Sequence, residues 1–381
     1  MRFGLNEEQA RIREMVRSLA RREFAPNAGE IDEQGRFPEE NMRLLAGHGL
    51  LGMLVPASYG GSGTGPVAYA VALAEVAGGC ASTGVGMAAT NMVGDAINRF
   101  GNEEQKRRFL PALASGTGGG AFALTEPGAG SDAFGISTLA IPDRNFFVLN
   151  GTKVFVTNGS CASVAIIMAV TQKEPRKEIS AFLVEPQTRG CSNGKPERKM
   201  GLRGSNTVSI LFDDCRIPKR NLLGEKGEGF RIAMTALDGG RVGIAAQSVG
   251  IGRAALDAAT SFARERRQFG QLLSEFQAIQ WMIADSATEL DAAELLALRA
   301  AYRQETGSPF TREASIAKVF AAEAAFRACH RAVQIHGGYG YLRDYPVARH
   351  LRDVKVTSIY EGTSEIQRVI IARDLVREIH R

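Results

Sequence analysis

Glu361 is the residue of this chain best placed to do chemistry. It lies in Ile359-Tyr360-Glu361-Gly362-Thr363-Ser364-Glu365-Ile366-Gln367, a glycine-bearing turn just ahead of a segment that reads as a helix starting at Ser364. Ser364 and Gln367 have the spacing of a capping box, and Val369, Ile370, Ile371 and Leu375 give the helix an apolar face expected to be buried. A carboxylate at such a corner feels the helix's positive end, which favours the charged form, and burial against an apolar ligand, which disfavours it. Where burial wins, the group becomes a base able to take an activated carbon-bound proton. These residues alone equally allow Glu361 to do no more than help cap the helix.

Composition bounds what can position that turn. A chain of 381 residues exceeds one ordinary core and points to roughly two or three domains. Its 44% hydrophobic and 23% charged residues are those of a soluble globular protein rather than a disordered or fibrous one. The net charge of +5 is scattered, with no basic arm and no aromatic-interleaved basic stripe, so nucleic acid is not expected as a partner. The 5 cysteines form no C-x-x-C pair, which argues against a disulfide framework and a zinc site. No apolar run suits a signal peptide or a membrane span, so the expected setting is cytoplasmic, with no membrane partner.

The hydrophobic period changes twice along the chain. From Glu7 to about Leu113 apolar residues recur at three and four, as in Ile12, Met15, Val16 and Leu19, then Tyr69, Leu73 and Val76, with a loop at 56–66. From about Ala121 to Leu223 short β-prone runs take over: 146–149, 153–156, 164–168, 179–184 and 208–212. Asn150-Gly151 and Asn158-Gly159 read as turns between them. Beyond the glycine-rich stretch 224–229, alanine-rich helices are expected near 230–264, 275–304, 311–336 and 364–380, with apolar faces that suggest a bundle. The expected fold is therefore α+β and multi-domain. It comprises an N-terminal helical domain at 1–115, a mostly antiparallel, barrel-like β domain at 116–225 and a C-terminal four-helix bundle at 226–381.

Five separated motifs, together with this helical, β, helical plan, make the chain resemble the acyl-CoA dehydrogenase family from end to end. They are Phe122-Ala-Leu-Thr-Glu-Pro-Gly-Ala-Gly-Ser131-Asp132, Phe155-Val-Thr-Asn-Gly159, Arg266-Arg-Gln-Phe-Gly270 with Gln277 downstream, Gln334-Ile-His-Gly-Gly338, and Tyr360-Glu-Gly-Thr363. The resemblance implies FAD as cofactor. Phe122, Leu124, Thr125, Gly130 and Ser131 would line the flavin, where small residues let backbone N–H groups approach a flat ligand. Phe155 and Thr157 would form a second flavin strand, with Phe155 standing where many relatives have Trp. Arg266, Gln268, Phe269 and Gln277 would reach the FAD of a neighbouring subunit, the guanidinium meeting the pyrophosphate. Gln334, Gly337 and Gly338 would contact its adenine side, and Thr363 and Glu365 would complete the cofactor site. A site shared between subunits implies a homotetramer, the usual family assembly. Each motif also has a plain reading: a Pro-Gly loop, a core strand, a solvated helix end, a glycine that stops a helix.

On the substrate side the resemblance gives Asp238 and Arg241 contacts to CoA, with Ser131, Tyr360 and Gly362 also facing substrate; an intrahelical ion pair is the alternative for Asp238 and Arg241. Some long- and branched-chain relatives carry their catalytic glutamate just before this arginine, where this chain has Gly240, leaving Glu361 as the carboxylate at a family base position. The implied reaction is removal of the α proton by Glu361 and departure of the β hydrogen as hydride, giving a trans-2-enoyl-CoA, with electrons passing to an electron-transfer flavoprotein. The Glu361 backbone N–H is the expected protein donor to the thioester oxygen. A flavin oxidase or monooxygenase, and a silent flavoprotein, are alternatives on the same fold. The chain shows no extra C-terminal domain of the kind expected in acyl-CoA oxidases. No arginine occupies 81–92, which disfavours a dicarboxylic substrate. Asn91 and Asp95 are expected to face solvent or to pair structurally; the alternative, that either lines the acyl pocket, implies a cyclic or functionalised acyl group.

Overall fold

Helices fill the chain on both sides of a β region in the computed structural model, which describes residues 4–379. The first group is α1 (Glu7–Leu19), α2 (Ala25–Gln34), α3 (Glu39–Gly47), α4 (Gly65–Gly79), α5 (Ala81–Phe100) and α6 (Glu103–Ala114). Asn6 and Asn102 start α1 and α6 with complete capping boxes, each asparagine oxygen accepting from the N–H three residues on while a glutamine returns the bond.

The strands are β1 (Gly119–Ala123), β2 (Leu139–Asp143), β3 (Phe146–Thr157), β4 (Ala162–Gln172), β5 (Glu178–Val184), β6 (Cys191–Asn193), β7 (Thr207–Pro218) and β8 (Leu222–Leu223). They form one 8-stranded sheet in the order β6-β7-β3-β2-β4-β5-β8, with β1 added beside β4. Most pairings are antiparallel, but β4 pairs with β1 and β2 in parallel. Residues on β4 alternate between two cores. Val164, Ile166, Met168 and Val170 pack with Val93, Ile97 and Leu110 of the N-terminal helices, while Ala165, Ile167 and Ala169 pack against Phe147, Phe182 and Phe212.

Asn150-Gly151 corrects the sequence reading: the chain does not turn there but continues as the single strand β3, with its register against β7 shifted between Leu149 and Gly151. Gly151 has φ of +146° and a Cβ there would lie 2.6 Å from Thr138 Oγ1, so the glycine serves a bulge. Asn158-Gly159 does turn.

The last group is α7 (Gly229–Glu265), α8 (Gln277–Glu305), α9 (Thr311–His336), α10 (Pro346–Val354) and α11 (Ser364–Ile379), with the small ribbon β9 (Arg267–Gln268) and β10 (Gln271–Leu272) after α7. Buried alanines on α7, α8 and α9 let these helices approach closely. On α7, a Cβ at Gly250 would meet the Ala74 carbonyl of α4 at 2.0 Å. The N- and C-terminal helices share one core as a result, with Leu73 and Val76 of α4 packed with Val242, Ala297 and Ala321.

Two expectations for α11 are overturned. Ser364 already belongs to the helix and its Oγ, buried, has no partner among the described residues; Thr363 Oγ1 instead accepts from the Ile366 N–H at 3.3 Å, and the Gln367 side chain turns back to carbonyls of the preceding turn. The apolar face is also not covered within this chain, since Val369 is 58% and Leu375 47% exposed. Among the described residues no helix is long and apolar enough to cross a membrane, and no cluster of side chains could hold a metal ion.

Candidate active site

The turn before α11 is built from two consecutive left-handed residues, Glu361 at φ +53° and Gly362 at φ +88°. A non-glycine residue in that region costs about 1–3 kcal/mol and persists only where its surroundings fix it. Three side chains do so here. Gln367 Nε2 donates to the carbonyls of Glu361 (3.2 Å) and Gly362 (2.9 Å). Lys318 Nζ, from α9, donates to Gly362 O at 2.7 Å, and Arg241 Nε, from α7, reaches Glu361 O at 3.4 Å. The neighbouring Tyr360 hydroxyl donates to Gln247 Oε1 at 2.5 Å.

This scaffold points the Glu361 carboxylate at α7, where Oε2 would touch a Cβ on Gly240 at 2.0 Å. Oε2 is enclosed and accepts no hydrogen bond among the described residues. Burial pushes the carboxyl up to about 7, against the pull of the Arg241 and Lys318 charges. The Glu361 N–H donates to no acceptor among the described residues. An unpartnered carboxylate near neutrality, beside a free N–H, can remove a proton and receive the negative charge that develops.

Asp238 and Arg241 form the ion pair, 2.5 Å apart, and Asp238 also accepts from the Thr311 hydroxyl at 2.5 Å. Burial raises Asp238 and lowers Arg241 from their ordinary values, each opposed by the other's charge. Asn91 and Asp95 both pair structurally. Asn91 is wholly buried and donates to the carbonyls of Leu50 (2.9 Å) and Met87 (3.1 Å), and Asp95 accepts from Arg99 at 2.8 Å.

A second group of expected residues gathers around the loop after β1. Val154 N–H donates to Thr125 O at 2.9 Å, bringing the Phe122–Ser131 segment beside Phe155 and Thr157. Underneath, buried Lys153 donates to Leu124 O (3.1 Å) and Glu126 Oε1 (2.6 Å), while Glu126 also accepts from the N–H groups of Ser137 and Thr138. Those bonds draw Glu126 down to about 2, and burial lowers Lys153 to about 8. Phe155, at φ +58°, is 66% exposed; Ser131 is exposed, and Gly128 and Gly130 face open space.

A third group lines a separate cleft of about 390 Å³: Arg266, Gln268, Gly337 and Gly338, with Phe262, His336 and Tyr339. The Arg266 guanidinium lies 5.3 Å from the Tyr339 ring centroid, and Phe262 stacks on His336 at 4.4 Å. Gln277 and Gln334 are exposed, Phe269 is 94% exposed, and Glu365 is exposed just past the capping Thr363.

Three domain families match in order: acyl-CoA dehydrogenase N-terminal domain over 6–117, middle domain over 121–215 and C-terminal domain over 227–376. The chain belongs to the acyl-CoA dehydrogenase family. It is 49% identical over 380 residues to a probable acyl-CoA dehydrogenase YngJ of Bacillus subtilis, covering 99% of this chain and 100% of the relative. Butyryl-CoA dehydrogenase from Megasphaera elsdenii superposes with a TM-score of 0.96 at 41% identity, over 99% of this chain and 100% of that one. A chain solved in work on the electron transferring flavoprotein of Acidaminococcus fermentans gives a TM-score of 0.97 at 42% identity, with 99% and 100% covered.

Sequence reading of this acyl-CoA dehydrogenase missed Lys318, Gln247 and the backward reach of Gln367. A signal for the first existed: Lys318 lies among Ala314, Ala317, Ala321 and Ala322, on the buried face of α9. A lysine in that register needs a partner. Nothing in the local sequence gives Gln247 or Gln367 away, because their partners are remote or lie behind them in the chain.

Proposed function

We propose that this chain catalyses α,β-dehydrogenation of an acyl-CoA thioester to the trans-2-enoyl-CoA with FAD as cofactor, Glu361 taking the α proton. The observation that carries this reading is the Glu361 carboxylate, with Oε2 enclosed and unpartnered among the described residues and the group raised to about 7. Pre-positioned backbone donors are worth most where charge develops, and the unengaged Glu361 N–H supplies one for the thioester oxygen. Arg241 and Asp238 offer a charged fork and an acceptor at the edge of the same turn for polar groups of CoA.

The residues suit FAD. An aromatic face at Phe155, glycines facing open space at Gly128, Gly130, Gly337 and Gly338, and an arginine-bearing cleft are what a flat ring joined to a pyrophosphate requires. Phe122, Leu124, Thr125, Gly130, Ser131, Phe155 and Thr157 would hold the ring, and Thr363 and Glu365 would complete the site. Arg266, Gln268, Phe269, Gln277, Gln334, Gly337 and Gly338 would serve the FAD of a neighbouring subunit. When bound, FAD supplies the acceptor for the hydride leaving Cβ.

A homotetramer is supported by apolar side chains with no cover in the single chain: Phe269 at 94%, Trp281 at 64% and Tyr302 at 62% exposed. Electron-transfer flavoprotein as acceptor and a short acyl group as substrate rest on the two solved chains named above. A cytoplasmic setting and the division at 1–115, 116–225 and 226–381 complete the reading. Anaerobic bleaching of the flavin by a panel of acyl-CoAs, followed by reoxidation with electron-transfer flavoprotein or with air, tests it. Bleaching by butyryl-CoA and faster reoxidation by the protein acceptor are expected. No bleaching by any acyl-CoA rejects the reading, and preferential reoxidation by air assigns an oxidase.

A further inference from the structure

Among the described residues two lysines are wholly buried, one beside buried Glu126 and one near the enclosed Oε2 of Glu361, and they differ in one geometrical respect. Lys153 bonds Glu126 directly at 2.6 Å. Lys318 does not bond Glu361; its single hydrogen bond among the described residues goes to the next carbonyl, Gly362 O, at 2.7 Å. Its charge nevertheless reaches Glu361. We propose that Lys318 is a positioning residue for Glu361, held off its carboxylate by the Gly362 carbonyl so that it anchors the left-handed turn and sets the basicity of Glu361 from a distance. This rests on Glu361 being the base.

The comparison between the pairs supplies the reason. A carboxylate in direct contact with an ammonium and with backbone N–H groups, as Glu126 is, falls to about 2 and is useless as a base near neutrality. Glu361, with the same type of cation diverted to a carbonyl, stays at about 7. Without any cation it would rise further and be protonated at working pH. Both lysines are themselves lowered to about 8 by burial, so the lysine's own environment is not what separates the carboxylates. Their direct donors are part of the difference: Glu126 accepts from Lys153, Ser137 and Thr138, whereas Glu361 Oε2 accepts from none among the described residues, and the Arg241 and Lys318 charges act on it only from a distance.

The other charged or titratable groups around the turn are Asp238 and Arg241 on α7, Glu323 on α9, Glu365 and Arg373 on α11, Tyr69 on α4, Asp95 on α5 and the adjacent Tyr360. Arg241 is already committed to Asp238. Among the described residues Lys318 has no carboxylate partner of its own, and its ammonium is bound to Gly362 O.

The test uses FAD-replete protein with butyryl-CoA as probe, comparing Lys318→Met, Lys318→Gln and Glu361→Gln with the wild type. Lys318→Met removes charge and clamp; Lys318→Gln removes the charge but keeps an N–H donor one bond shorter. In both, the rising limb of the flavin-reduction rate should move up by roughly 1 pH unit, a loss of about tenfold at pH 6 that disappears by pH 9. An infrared pH titration without substrate should show the same upward movement in the midpoint of the protonated-carboxyl band that Glu361→Gln abolishes. Unmoved limbs and midpoints in folded, flavin-replete variants overturn the proposal, as does a uniform slowing at every pH. Should Lys318→Met not fold, Lys318→Gln decides alone. If Glu361→Gln itself reduces flavin at the wild-type rate, the base assignment fails instead, an outcome distinct from unmoved Lys318 variants beside an inactive Glu361→Gln.

Discussion

The carboxylate of Glu361 occupies the space that any side chain at Gly240 would need, 2.0 Å from where a Cβ would stand. The proposed base and this glycine are therefore one device on two elements. Gly240→Ala should displace the carboxylate while leaving the helix intact, since alanine favours helix. A misplacement of about 1 Å lowers the rate of flavin reduction on the order of 10²-fold. Stopped-flow reduction with flavin content measured in parallel checks this; wild-type rates would show that the carboxylate has room to work elsewhere.

Glu361→Gln should keep FAD bound and cut flavin reduction by roughly 10²–10⁴-fold or more. In the wild type, the active form is the carboxylate, raised to about 7 by burial. The rate should thus climb tenfold per pH unit below that value and level off above it. Rapid-mixing measurements from pH 5 to 9 read both effects.

The same residue should cost stability. Its folded value of about 7 exceeds the ordinary 4.5, so between those pH values the folded state holds the extra proton, and stability falls as pH rises through the window. Above it the penalty is complete. Glu361→Gln should unfold later than wild type at pH 8 by roughly 1–3 kcal/mol and show no gain at pH 4. Denaturant titrations at the two pH values suffice, and an equal effect at both would deny that burial of the charge is the cause.

Lys153→Met leaves Glu126 buried beside only neutral donors. Loss of one partner of a buried pair costs about 3–5 kcal/mol. Glu126 is depressed to about 2, so the stability it contributes is present above the ordinary carboxylate value and lost as pH falls toward 2. The variant's deficit should accordingly be largest near neutrality and shrink in acid. Because Glu126 ties Ser137 and Thr138 to the loop carrying Thr125, weaker FAD retention should accompany it.

Arg266→Ala removes the guanidinium from its cleft beside Tyr339. FAD should be lost on dialysis, and the oligomer should loosen with it if one cofactor bridges two subunits. Absorbance after dialysis, with sedimentation of the same samples, reads the two together; full cofactor occupancy would remove Arg266 from the site.

Much of this molecule was legible before any coordinates. The change of period at Ala121 and the glycine stretch at 224–229 mark where helices give way to strands and return, because periodicity reports which faces must be covered. The turn at Glu361 was legible from its glycine and the apolar run that follows, but the residues alone allowed a capping role equally, and only the family resemblance singled the carboxylate out as a base. Asn150-Gly151 misled because a bulge and a hairpin turn can use the same backbone freedom of glycine, and the pairing with β7 and the close approach of Thr138 separate them. The cap of α11 slipped by one residue, since neighbouring Thr363 and Ser364 both have a capping hydroxyl. Lys318 and Gln247 act across the fold, and short-range pattern carries no record of which distant carbonyl or hydroxyl they meet.

Where α4 and α7 cross, backbone meets backbone at Ala74 and Gly250, with nothing compressible between them. Two rods seated in that way have no slack along which to creep. The stretch of α7 that carries Gly240 is therefore seated against α4 by backbone, and the room beside it is set by main chain rather than by side chains that could yield.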